Sequence, residues 1–198
     1  MADEHDHAHE HVHGEVRDDA ERARDAEAEA RRRLALAQIR QYPDPALRLT
    51  ANEVVDFDED LQRLADRMVG LMHDAQGVGL AATQVGILRR LFVFEPDEDG
   101  ARAVVNPRIV ERADETATEE EGCLSLQGVR VPVERATRLT LAGQDTAGED
   151  VRWELEGLGA RVVQHELDHL DGVLIIDRTD EPSRKQALAI LRPQPILR

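Results

Sequence analysis

Apolar residues recur with a helical period along some stretches of this chain and gather into short runs of β-formers along others, and the two patterns divide it into elements. In "FDEDLQRLADRMVGLMHDA" they fall at Leu61, Leu64, Ala65, Met68, Val69, Leu71 and Met72, the spacing of a helix buried along one face. Asp58 stands at the N-cap position of that helix and Gly77 closes the region beyond it. The stretch "GLGARVVQHELDHLDG" has the same period through Leu158, Val162, Leu167 and Leu170, and "EPSRKQALAILR" predicts a last helix with Pro182 in its first turn. Between the early and late helices lie "RLFVFE", "ARAVVNPRIV", "RVPVERATRLTLAGQD" and "EDVRWELEG", rich in β-formers and separated by turn residues. Short strands so connected predict small antiparallel sheets. Helices early and late with strands between make an α+β domain.

The first 33 residues lack this order. They hold 11 acidic and 6 basic side chains, five histidines at alternate positions (His5, His7, His9, His11, His13) and no aromatic residue. So little apolar surface does not offset the entropy of ordering, and the opening is expected to be a disordered tail. From about Asp18, "DDAERARDAEAEARRRLALAQ" is built of good helix formers and predicts a solvated helix leading into the domain. The plan is thus a His-rich acidic extension over 1–33 and one domain over 34–198. The histidine tract reads either as a metal-collecting arm or as a low-complexity tail.

Composition narrows the partners. The chain has 198 residues, 41% of them hydrophobic, enough for one core. A formal net charge of −16 argues against nonspecific binding of nucleic acid or anionic membrane. No run approaches the roughly 18 apolar residues of a membrane span, and "MADEHDHAHE" has neither the basic nor the apolar part of a signal peptide, so a cytoplasmic location is expected. The single cysteine, Cys123, excludes an internal disulfide.

Chemistry concentrates in three stretches. In "QHELDH", His165 and His169 are four apart, so on a helix both rings turn to one spot, with Glu166 placed to take a proton from a water beside a metal held there. The motif also occurs by chance in unrelated chains and needs a third ligand. The stretch "EEEGCLSLQG" offers one: a Cys123 thiolate would complete a three-ligand set and leave a position open for water, the mark of a catalytic metal. Asp168 points about 100° from His169 on the helix and is not expected to ligate. His73, with no ligand-spaced neighbour, is expected to cap its helix or face solvent. In "GVGLAATQVG", Gly77 and Gly79 permit close backbone approach, Ala81 and Ala82 remove bulk, and a substrate strand fits alongside, with Gln84 as an amide donor. Taken alone, that run is equally a tight turn.

Together these stretches, in this order, resemble the peptide deformylases, whose pattern is a GxGxAAxQ loop, an EGCLS strand and a QHExDH helix. The resemblance runs from about Leu34 to Leu191 and takes in "YPDPALR" and "DGVLIIDR". It implies that Cys123, His165 and His169 hold a divalent metal, Fe(II) by preference, with zinc, nickel or cobalt in some members. It implies that Glu166 is the general base and acid, and that Gln84 and the Leu124 N–H bind the developing oxyanion. Gly79 and the strand around Gly122 would hold the peptide backbone, and Val78 and Leu158 would wall the methionine pocket. Substrates would be N-formylmethionyl nascent peptides, and the product formate. A monomer is the expected state.

Some positions stand apart. Gln127 replaces a proline common in the family. Arg161, one turn before His165, either faces the cleft and meets the substrate's backbone or carboxyl end or is a solvated arginine. Glu121 either orients the ligand strand through Arg130 or Arg135 or makes a plain surface ion pair, the default. Residues 181–198 carry a local basic excess that suggests a transient ribosome contact. Two rival functions remain open at this stage: an HExxH peptidase with a downstream carboxylate ligand such as Asp171 or Asp177, and a metal-buffering protein working through its histidine arm.

Overall fold

The computed structural model describes residues 10–96 and 100–192. Four helices, α1 (Glu10–Leu36), α2 (Glu59–Asp74), α3 (Gly157–Leu170) and α4 (Glu181–Leu191), pack with seven strands. The strands are β1 (Gly79–Ala81), β2 (Leu91–Phe94), β3 (Arg102–Arg112), β4 (Thr116–Gly122), β5 (Arg130–Ala136), β6 (Arg138–Gln144) and β7 (Asp150–Glu156). They form an antiparallel sheet in the order β1-β2-β3-β6-β7 and a separate antiparallel pair β4-β5. The chain is α+β, as its two patterns predict.

Alternation along β2 explains the layering. Leu91 and Val93 join Leu61, Ala65, Met68 and Met72 of α2 in one apolar cluster. Phe92 and Phe94, pointing the other way, join Ala160, Val162 and Val163 of α3 in a second. The four residues of β2 are therefore all buried, covered by a helix on each face. A third cluster joins Val131 and Val133 of β5 to Ile175, Ile176 and Ala187 near the C-terminus. α2 is capped as expected, Asp58 Oδ1 accepting from Leu61 N at 2.9 Å. Asp180 caps α4 in the same way, accepting from Ser183 N at 2.8 Å.

Two strand expectations need correction. The run "RVPVERATRLTLAGQD" breaks at Thr137 into β5 and β6, which belong to different sheets. β4, "TATEEEG", extends the strand expected around Gly122 back to Thr116 and stops at Gly122, so that Cys123 lies just beyond its end; three successive glutamates argue against a strand there on propensity. Cross-strand pairing overrides that preference, with every residue from Thr116 to Gly122 opposite one on β5.

α1 begins at Glu10, earlier than the run from Asp18 suggests; once nucleated, a helix adds a bond for each further residue. The tail at residues 1–9, with His5, His7 and His9, lies outside the described residues, as do 193–198 at the basic end. Among the described residues no helix is long and apolar enough to cross a membrane.

Candidate active site

Two unpaired strand edges face each other across a cavity of about 790 Å³. One is β1, at the end of the five-stranded sheet, and the other is β4, paired only with β5. α3 forms the floor, presenting Leu158, Arg161, Val162, His165 and Glu166. Gly77, Val78, Gly79 and Gln84 line the β1 side, and Glu121, Gly122, Cys123 and Leu124 line the β4 side. Val78 and Leu158 are exposed within it, at 45% and 58%. An edge strand with free N–H and C=O groups accepts an extended peptide as a further strand.

At the floor, one ligand atom each from Cys123, His165 and His169 lie within 4.8 Å of one another. Cys123 Sγ is 3.2 Å from His169 Nε2. A tetrahedral site with metal–sulfur and metal–nitrogen bonds of about 2.3 and 2.1 Å has donor edges of about 3.6 Å, so a small adjustment seats a cation here. Two buried polar atoms, His169 Nδ1 and Glu166 Oε2, have no partner among the described residues. A thiolate, two imidazoles and an adjacent unpartnered carboxylate fit a divalent metal of the zinc or iron type.

The third side of the site is a buried charge network. Glu121, 5% exposed, accepts from Arg135 Nε at 3.0 Å and Arg161 Nη1 at 2.8 Å on one oxygen. Its other oxygen accepts from Arg135 Nη2 at 3.1 Å and His165 Nδ1 at 3.0 Å. Holding Nδ1 in this way directs the other ring nitrogen of His165 at the cysteine. Glu121 is thus no surface ion pair, and its partners are Arg135 and Arg161, not Arg130. Arg161 lines the cavity, but its guanidinium is also bonded to Val133 O at 2.9 Å, Ala117 O at 2.8 Å and Glu119 at 3.1 Å. It braces β4 and β5 against α3, with its donors turned to the protein instead of a peptide. Asp168 turns away from the histidines to Arg135 and Arg178, at 2.6 and 2.5 Å.

These contacts set the proton affinities. Burial would raise the Glu121 carboxyl, but hydrogen bonds from His165 and Arg135 outweigh it and hold the group at about 2. Burial pushes Glu166 up to about 7, against the attraction of His165. A cation at the three donors would pull that value lower and favour the carboxylate. His169 is driven well down by burial and by the neighbouring His165. His165 is held well up, because its bonds to Cys123 and Glu121 overcome burial.

The remaining positions follow from local packing. Gly79 lies directly on Glu166: a Cβ there would collide with Glu166 Oε1 and come within 2.9 Å of Val162 Cγ1. The Gln84 side chain accepts from Ala81 N at 2.8 Å and donates to Ser125 Oγ at 3.1 Å, with a long 3.7 Å contact to Cys123 Sγ. Leu124 O accepts from Gln41 Nε2 at 3.0 Å. Downstream carboxylates take no part: Asp171 pairs with Arg90 at 2.7 Å, and Asp177 pairs with Arg48. His73 sits 3.5 Å from Glu95, outside the cluster.

Three soft or borderline donors beside a buried, unpartnered carboxylate are the residue types of a mononuclear metallohydrolase site. Comparison with known proteins narrows the class. The polypeptide deformylase family model matches residues 36–185. Peptide deformylase 1 of Corynebacterium glutamicum is 47% identical over 162 residues, 80% of this chain and 96% of that protein. The Thermotoga maritima peptide deformylase is 50% identical over 147 residues, 74% of this chain and 89% of that protein. Its crystal structure superposes with a TM-score of 0.70, covering 72% of this chain and 96% of that one. A Legionella pneumophila peptide deformylase structure gives 0.74 at 40% identity, covering 77% and 91%.

The chain belongs to the polypeptide deformylase family. Enzymes of this family are metal-dependent hydrolases that remove the N-formyl group from the leading formylmethionine of newly made proteins, and this chain is such an enzyme. The peptidase and metal-buffer alternatives are not favoured.

Proposed function

We propose that the reaction is carried by Cys123, His165 and His169 as ligands of one divalent cation, with Glu166 as the proton carrier and the β1 and β4 edges as the peptide cradle. The observation behind this is the convergence of those three donors beside an unpartnered carboxylate at the floor of an open-edged cleft. Fe(II) is our choice of metal, with zinc, nickel and cobalt as the alternatives the same donors accept. When bound, such a cation supplies Lewis acidity and brings the pKa of water from about 15.7 to about 7.

The protein's own residues do the rest. Glu166 takes the proton of the attacking water and returns it to the departing amine. As negative charge gathers on the formyl oxygen, Gln84 Nε2 and the Leu124 N–H donate to it, each worth about 3 kcal/mol when positioned beforehand. Gln84 is preset for this by Ala81 N and Ser125 Oγ, and its long contact to sulfur is the one the formyl oxygen replaces. Gly79 and Gly122 let the peptide backbone close on both strand edges, and Val78 and Leu158 form the walls of the methionine pocket. Arg161 keeps the β4 edge in place through Ala117 O and Glu121.

In this reading the enzyme acts as a monomer in the cytoplasm on nascent chains, and the basic excess of residues 181–198 touches the ribosome transiently. Formate release from formyl-Met-Ala-Ser by anaerobically prepared protein, with metal analysis, tests the assignment. Equal co-sedimentation with ribosomes of the full chain and a chain ending at residue 180 would remove the ribosome contact.

A further inference from the structure

The family match starts at residue 36, yet the cavity wall does not: Arg32, one turn earlier on α1, lines the cleft together with Leu36. Residues four apart share a helix face, so the face that buries Leu36 also carries Arg32 toward the cleft. Leu36 lies in the apolar cluster against which Leu124 packs. The segment that follows α1 is tied to α2 and to the site: Gln38 Oε1 accepts from Arg67 Nη2 at 3.1 Å, and Gln84 O accepts from Arg40 N at 2.7 Å. The helix therefore presents the half-buried Arg32 to the cleft.

Its guanidinium has no ion pair or hydrogen bond among the described residues, whereas its neighbour Arg31 pairs with Glu27 at 3.7 Å. Arg130, exposed beside Gly122, is likewise unpaired among them and lines the same cavity. Glu120 is the opposing carboxylate there; Glu121 and Arg161 neutralise each other, and His165 and Glu166 lie at the reacting floor. Two arginines thus face one free carboxylate in a chain of net charge −16. Screening over about 8 Å at physiological salt makes these local charges, and not the total, what an entering peptide meets.

We propose that Arg32 is a specificity-determining residue that favours formylmethionyl peptides carrying Asp or Glu within the first three residues after the methionine. The inference rests on the deformylase reading and deepens it. Side chains of an extended peptide alternate in direction every ~3.3 Å, so each of the three positions meets Arg32 differently.

The test uses the full-length metal-loaded enzyme, Arg32→Ala and Arg32→Glu. Formate release is measured from C-terminally amidated formyl-Met tetrapeptides in which a single Asp or Lys is walked through three alanine positions. The wild type is expected to prefer Asp over Lys at one position or more by about 2- to 5-fold in kcat/KM, the range of an exposed ion pair. Arg32→Ala should lose most of that ratio and Arg32→Glu should invert it, through KM, each ratio being taken within one protein so that any change in overall turnover cancels. Identical Asp-to-Lys ratios in the three would overturn the proposal. Calorimetric binding of the same peptides to Glu166→Ala protein, with and without Arg32→Glu, reads the preference without turnover. Absence of formate release from every peptide would therefore refute the deformylase reading while leaving Arg32 still judged by binding.

Discussion

Replacing Glu121 by glutamine tests whether the buried charge network holds the site together. In the wild type its two oxygens accept four hydrogen bonds, two from Arg135, one from Arg161 and one from His165. A glutamine of the same shape keeps one oxygen and puts an NH₂ where the other stood. Whichever way it turns, two of the four donors then face a donor. Hydrogen bonds to charged groups contribute about 1.5–3 kcal/mol each, and breaking a buried pair costs about 3–5 kcal/mol. We expect a loss of about 3–5 kcal/mol, a large share of the roughly 5–15 kcal/mol that holds a domain folded.

The pH dependence of the same group reads the same hydrogen bonds in a second way. The folded carboxyl is held at about 2 against an ordinary value of 4.5, so its stabilisation is present in full above about 4.5 and fades as pH falls toward 2. That difference corresponds to about 3 kcal/mol. Urea unfolding of metal-stripped protein, from pH 7 down to pH 3, reads both effects. Glu121→Gln should lower the midpoint at pH 7 and flatten the decline in acid. Because Glu121 also orients His165, metal affinity should fall by about 10- to 100-fold. A shift below about 1 kcal/mol with metal affinity unchanged would refute the network as the support of the site.

Other expectations follow from single contacts. Glu166→Ala should keep its metal by elemental analysis yet lose about 10²–10⁴-fold in kcat, since it removes a proton carrier and not a ligand. Cys123→Ser should bind metal more weakly in a chelator competition while retaining its fold by circular dichroism. Gly79→Ala places a methyl group against Glu166 and Val162, and should cost about 1–3 kcal/mol in stability together with a fall in kcat/KM; unchanged kinetics would mean that β1 does not lie against Glu166.

How much could be read from the chain alone depended on how local the signal was. Period 3.6 placed α2 and α3, and set His165 and His169 on one face, because a helix is decided by neighbours three and four residues away. The short run of β-forming residues in "RLFVFE" marked β2 for the same local reason. By contrast, β4 carries three glutamates and became a strand only through its ladder to β5, a pairing that local composition does not encode. The break at Thr137 that sends β5 and β6 to different sheets was equally invisible, since both halves have strand composition.

Charge was the hardest property to judge. Glu121, Arg135, Arg161 and Asp168 are residue types that belong on a surface unless paired, and their burial could be recognised only once folding brought β4, β5 and α3 within 3 Å of one another. Nor does anything in "EARRRLAL" distinguish Arg32 from Arg31; the docking of α1 beside Leu124 turns one toward the cleft and leaves the other on the surface. The sequence by itself determined the helical faces, the donor types and the family, because these depend on residue identity and short spacing. Tertiary structure alone decided which charges are buried, which strand edges stay open and which arginines line the cleft, because each depends on contacts between segments far apart in the chain.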